Sequence, residues 1–149
     1  MKLYIDTSVF GGYFEPEFEL WSKNLFNQII EGSYTAAVSD ITLLELENAP
    51  KKVLKFANSI ISQNAEFLLA DVDARLLADY YLKEKIITAR FHSDALHIAI
   101  ATINKIDVLT SWNFKHIVNL NRIRLYNSVN LKYGYSMIEI RSPRDIIET

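Results

Sequence analysis

Cysteine is absent from the 149 residues of the chain. A thiol nucleophile, a thiolate zinc site, an iron–sulfur cluster and any disulfide are thereby excluded, and a fold that manages without bridges fits a cytoplasmic protein. Glycine and proline are scarce, at four and three residues, and no internal repeat, low-complexity segment or linker interrupts the chain. Long hydrophobic runs are missing too. None approaches the roughly 18 residues that span a bilayer, and no long apolar core precedes Asp6, so a soluble protein with no membrane partner is expected. Neither sign of charge dominates, with 16 Lys and Arg against 18 Asp and Glu for a net charge of −2. That balance argues against coating nucleic acid by bulk electrostatics, although a local basic strip would be hidden in the total.

Half of the residues are hydrophobic and 23% are charged, which predicts one globular domain over residues 1–149, a sizeable core and one site. The stretch LYIDTSVF organises the rest. Leu3 to Ile5 is apolar on successive positions, as in a strand covered on both faces of a parallel sheet, and it delivers Asp6 followed by the hydroxyls of Thr7 and Ser8. The C-terminal edge of such a sheet is where ligands bind. The plainer alternative is that Asp6 and Thr7 only cap a following turn.

Gly11 and Gly12 predict a flexible turn. Phe14, Phe18, Trp21, Leu25, Phe26 and Ile29 then recur at nearly helical spacing up to a stop at Gly32, with Glu15, Glu17 and Glu19 complementing the dipole near the helix start. Tyr34 to Val38 predicts a second strand, after which Ser39 and Asp40 open a helix, ITLLELEN, that Pro50 ends. Thr42 and Glu45 have capping-box spacing, which would give Glu45 a purely local bond. Because Ser39 and Asp40 are already good caps, Glu45 instead falls within the first two turns and can face the strand ends. An amphipathic helix follows from Lys51 to Gln63, with Lys51, Lys52 and Lys55 on its solvated face. Phe67 to Ala70 is a third strand or extended connector, and Asp71 or Asp73 begins the next helix.

In FHSDALHIAIATIN, Ser93 reads as the N-cap and Asp94 as the first helical residue, an acid at the head of an almost wholly apolar helix. Asp94 either complements the helix dipole or belongs to a site. His97, one turn on, is a metal ligand, a partly buried core residue or a donor to the ligands. The next strand, IDVLT, runs into Thr110, Ser111, Trp112 and Asn113, mirroring the setting of Asp6. From Val108 to Ile138 there is no Asp or Glu, yet Lys115, His116, Arg122, Arg124 and Lys132 are interleaved with Phe114, Tyr126 and Tyr133. Cations beside aromatics suit a single strand of nucleic acid, with Lys115, Arg122 and Arg124 as candidate contacts; an ordinary helix and loop with core aromatics is the alternative. Met137 to Ile140 predicts the last strand and Pro143 a short terminal helix. Strands alternating with helices imply an α/β fold, with a mostly parallel central sheet flanked by helices.

Asp6 after the first strand, Glu45 on the helix after the second, Asp94 opening a later helix and Asn113 after a later strand can all converge at one sheet edge. Two unit charges 4 Å apart repel by roughly 4 kcal/mol at an effective dielectric near 20, so three clustered carboxylates call for a proton or a metal. Oxygen ligands without cysteine select a hard cation, Mg²⁺ or Mn²⁺, which lowers the pKa of bound water and neutralises charge on a scissile phosphate.

These residues carry a resemblance. YIDTSVF, SDITLLELEN, HSDALHIAIA and DVLTSWNFKHI look like the four motifs of PIN-domain ribonucleases, in order and across most of the chain, with the VapC-type toxins of toxin–antitoxin pairs as the nearest kin. The resemblance implies a Rossmann-like PIN fold, Mg²⁺- or Mn²⁺-dependent cleavage of RNA, frequent homodimers and, for a toxin, a small inhibitory antitoxin. Asp6, Glu45 and Asp94 match the three principal acids, which would hold metal and orient the attacking water, with Thr7, Ser8 and Ser111 supporting them. Asn113 departs from the Asp common at the fourth position; an amide carbonyl can still ligate metal or hold water, but the lost charge puts a second metal in doubt. Two other readings stand beside this one. A haloacid-dehalogenase-like phosphatase wants a second Asp two residues after the first, where this chain has Ser8. A non-catalytic PIN-like module would bind RNA or protein without cutting.

Overall fold

The structure, a computed structural model, describes residues 1–148. Its first strand, β1 (Lys2–Ile5), alternates sides with the period of two that a pleated strand imposes. Leu3 and Ile5 enter one core with Val9, Phe10, Ala36, Val38 and Val108, whereas Tyr4 enters the opposite core with Ala37 and Leu109. Leu3, Tyr4 and Ile5 are fully buried, which explains why the stretch lacks polar alternation.

The chain leaves β1 through α1 (Thr7–Gly12) and α2 (Glu19–Ile30), and returns along β2 (Thr35–Ser39). It continues through α3 (Asp40–Leu46), α4 (Lys51–Asn64), β3 (Ala65–Leu68), α5 (Val72–Lys83) and α6 (His92–Ile103) to β4 (Val108–Thr110), then α7 (Leu120–Lys132), β5 (Glu139–Arg141) and α8 (Pro143–Ile147). All strand pairs are parallel, in the order β3-β2-β1-β4-β5. Leu3 aligns with Ala36 on one side and Val108 on the other. The expected α/β architecture, a parallel central sheet covered by helices on both faces, is the one found. Among the described residues no helix is long and apolar enough to cross a membrane.

Four local expectations differ. Gly11 and Gly12 do not make a loose turn; they complete α1. A Cβ on Gly12 would lie 2.6 Å from Trp112 Nε1 and 2.9 Å from Ser22 Oγ, so glycine here permits close approach. The third strand begins at Ala65 instead of Phe67, because α4 runs directly into it and the Ala70 N–H is taken by Asp40 Oδ1 at 3.0 Å. Ser93 does not cap α6. A 3₁₀ turn over Ala89–Phe91 feeds the helix at His92, which places Asp94 third in the helix. The last strand starts at Glu139, not Met137, because the side chain of Asn127 occupies both the N–H (2.8 Å) and the C=O (3.0 Å) of Ile138. Gly32, at φ +88°, stops α2 as expected.

Candidate metal centre

From β1 the chain steps outward to β2 and β3, then crosses back to β4 on the other side of β1. The crevice outside the C-terminal ends of β1 and β4 is therefore a topological switch point, the place where parallel sheets bind ligands. Asp6 sits at it. Its backbone N–H donates to Thr110 O at 3.0 Å, carrying the β1–β4 ladder one residue past the strand. Asp6 is also the N-cap residue of α1, but its side chain makes no capping bond. Oδ2 instead accepts from Ser8 Oγ (2.6 Å) and Ser111 Oγ (2.7 Å), while Oδ1 lies 3.6 Å from His97 Nε2. The simple capping alternative for Asp6 is thereby excluded.

Glu45 arrives on α3, whose start is fixed by a capping box between Ser39 and Thr42. Relieved of capping, Glu45 accepts from Thr7 Oγ1 at 2.7 Å and pairs with His97 Nε2. His97 is fully buried on α6, and its Nδ1 is 2.6 Å from the Tyr4 hydroxyl, which in turn is 2.7 Å from Ser39 Oγ. A chain of polar contacts thus runs Ser39–Tyr4–His97–Glu45 on the sheet face that α6 covers. Burial opposes a charged imidazole, yet Tyr4, Glu45 and Asp6 outweigh it and hold the His97 pKa well above its usual value. Burial likewise pushes Glu45 up, but His97 and Thr7 prevail and its pKa ends below the ordinary carboxylate value. The two shifts agree: Glu45 and His97 form an ion pair.

Asp94 has no such counterion. Burial, then the charges of Asp6 and Glu45, raise its pKa to about 6, against partial relief from His97 and Asn113. Asn113 Nδ2 lies 3.4 Å from Asp94 Oδ2, whereas its Oδ1 accepts from the backbone N–H groups of His116 (2.9 Å) and Lys115 (3.2 Å). Asn113 therefore faces Asp94 as a donor, and its carbonyl is engaged in the turn.

Ligand atoms of Asp6, Glu45 and His97 all lie within 4.8 Å of one another. Because His97 Nε2 points its bond at Glu45, the oxygens of Asp6 and Glu45 are the members of this cluster that suit a hard divalent cation, and Asp94 lies outside it. The uncompensated charge that lifts Asp94 is the physical case for one. Of the sequence expectations for His97, a buried residue bonded to a candidate ligand is the one found, whereas the sequence reading missed Tyr4 altogether. The available signal was a tyrosine inside an aliphatic strand, since a buried phenol needs a polar partner.

Of the proposed nucleic-acid contacts, Lys115 is exposed with its Nζ 5.9 Å from the Phe91 ring centre. Arg122 is tied to Ile86 O. Arg124 lines a different cleft, of about 730 Å³, along β5 with Asp107 and Glu139.

No family model and no curated protein matches the chain. Among solved structures it is similar to VapBC2 from Rickettsia felis, determined bound to a DNA fragment from its promoter, at 16% identity and a TM-score of 0.60, covering 95% of this chain and 98% of that one. It is also similar to FitAcB from Neisseria gonorrhoeae, at 11% identity and a TM-score of 0.57, covering 95% and 97%. At these identities the likeness is one of fold, and that fold is PIN-like.

Proposed function

We propose that the chain, acting as one PIN-like domain, is a metal-dependent endoribonuclease that hydrolyses RNA phosphodiester bonds, and that it is the toxin of a toxin–antitoxin pair. The observation that carries the reading is the meeting of Asp6 and Glu45 at the switch point, with ligand atoms within 4.8 Å of each other, beside Asp94, whose carboxyl is pushed up to about 6 by burial and by those two acids. A fold has no structural use for three mutually repelling carboxylates, and a cation relieves them.

A bound Mg²⁺ or Mn²⁺ would supply an activated water and charge neutralisation at the phosphate. The protein's own part is positioning. Ser8 and Ser111 fix one oxygen of Asp6, and the other lies 3.6 Å from His97 Nε2. Thr7 and His97 orient Glu45, and Asn113 orients Asp94, its hydrogen bond partly offsetting the burial and acid charges that raise the carboxyl's pKa.

The toxin role, a small antitoxin partner and a second copy of the chain follow from the motif resemblance, with support from a fold shared with VapBC2; the cytoplasmic setting rests on a fold that manages without cysteine. One observation favours the alternative of a binding module: the Glu45–His97 pair already neutralises part of the acid cluster. The test is cleavage of a fluorescent, unpaired RNA. Activity with Mn²⁺ that disappears with chelator, and falls on the order of a hundredfold or more in Asp94→Asn, supports the hydrolase. Undiminished cleavage in that variant sinks it.

A further inference from the structure

The loop that leaves β4 threads past both acids and then turns outward. Ser111 bonds Asp6, the Trp112 N–H donates to Ser8 Oγ, Asn113 donates to Asp94, and the next residues, Phe114 and Lys115, are exposed. Phe114 is not a lone surface ring. Its centre is 6.1 Å from Trp112 and 6.5 Å from Phe18, and Phe18 stacks on Trp112 at 4.3 Å with 21° between the planes. Trp21 stands 6.3 Å from Trp112, under the guanidinium of Arg144 at 5.0 Å. These rings line a cleft of about 460 Å³. Half of Phe114 is nevertheless exposed, at 50%, so core packing does not account for an aromatic there.

Cations stand on the other flank of the same loop. Lys115 Nζ and the Arg90 guanidinium lie 5.9 and 5.5 Å from the Phe91 ring, which contacts the His116 ring at 3.9 Å. Neither Lys115 nor Arg90 makes an ion pair among the described residues. The ring cleft, by contrast, carries Glu17 and Asp145 against the one cation Arg144, itself paired with Glu148, which disfavours a phosphate and leaves an uncharged, flat group as the better occupant. Every nucleobase has such a face, and aromatic side chains beside cations are how proteins hold unpaired strands.

We propose that Phe114, backed by Trp112 and Phe18, is a stacking platform for one unpaired RNA base beside the carboxylates, with Lys115 and Arg90 meeting an adjoining phosphate. The choice of RNA rests on the hydrolase reading above. A base locked in a duplex cannot stack there, so the platform selects single-stranded segments.

Both tryptophans of the chain, Trp21 and Trp112, belong to the cluster, so intrinsic fluorescence reports it directly. Asp94→Asn protein, which would hold RNA without cutting it, is titrated with a mixed-sequence RNA of about eight nucleotides, single-stranded or annealed to its complement. The single strand is expected to quench the tryptophans and the duplex to leave them unchanged. Adding Phe114→Ala should weaken binding roughly five- to a hundredfold, and Phe114→Tyr should restore it. Lys115→Ala or Arg90→Ala should each lower the slope of log affinity against log salt by about 0.7. RNA that fails to bind, binds without moving the fluorescence, or binds Phe114→Ala as well as the parent overturns the platform, and a protein partner on this face would then be favoured. Cleavage by wild type without quenching refutes the platform and spares the hydrolase; quenching with no cleavage in Mn²⁺ does the reverse.

Discussion

Replacing Asp94 by Asn should stabilise the metal-free fold, and only where Asp94 is ionised. Its carboxyl rises from 3.8 to about 6 on folding, so the folded state binds the proton more tightly than the unfolded chain. Below pH 3.8 both states are protonated and the carboxyl costs nothing. The penalty grows between the two values and is complete above pH 6. A shift of about two units corresponds to roughly 3 kcal/mol at 1.36 kcal/mol per unit, and partial exposure of the group reduces this to about 1–3 kcal/mol. Urea unfolding in chelator at pH 8 and at pH 3.5 measures it. The variant is expected to be more stable by that amount at pH 8 and equal at pH 3.5. His97 titrates in both proteins: with its pKa raised, its stabilisation is full below its ordinary pKa of 6.5 and falls as pH climbs through the raised value. The difference between the proteins therefore reports Asp94 together with its coupling to His97, Asp6 and Glu45. A variant equal to or less stable than wild type at pH 8 would refute the claim that the acid cluster is strained.

His97→Ala should destabilise by about 3–5 kcal/mol, because it leaves the Glu45 carboxylate and the Tyr4 hydroxyl without their shared partner; chemical denaturation reads this, and a loss under 1 kcal/mol would show the ion pair to be idle. Gly12→Ala should cost about 1–3 kcal/mol by forcing a methyl against the Trp112 indole, visible as a lower urea midpoint and altered tryptophan emission. Asn127→Ala strips the partners from the N–H and C=O of buried Ile138. It should cost about 1–3 kcal/mol and speed amide exchange along β5.

The central strand and the acids at its edge were legible because they rest on local pattern. An apolar run ending in Asp6 has few other uses, and Glu45 and Asp94 lie within two turns of helix starts that the sequence marks. What was not legible depends on residues far apart in the chain. Gly12 looks like a turn until Trp112, a hundred positions on, is seen against it. The start of β5 is set by Asn127, whose side chain imitates a neighbouring strand. The Tyr4–His97 contact spans 93 residues, and neither residue declares it. The Asn113 carbonyl, a candidate ligand from the sequence, is taken by the turn at residues 115–116, which presents the amide NH₂ to Asp94.

Whether the three acids hold a divalent cation is decided most directly by thermal unfolding of wild type and Asp94→Asn in rising Mn²⁺, with Mg²⁺ in parallel. Binding to the folded state adds RT ln(1 + [L]/Kd), about 2.7 kcal/mol at a hundredfold excess over Kd. The account predicts that wild type gains this stability and that the variant, more stable at the outset, gains little. Identical curves with and without Mn²⁺ for wild type would contradict it.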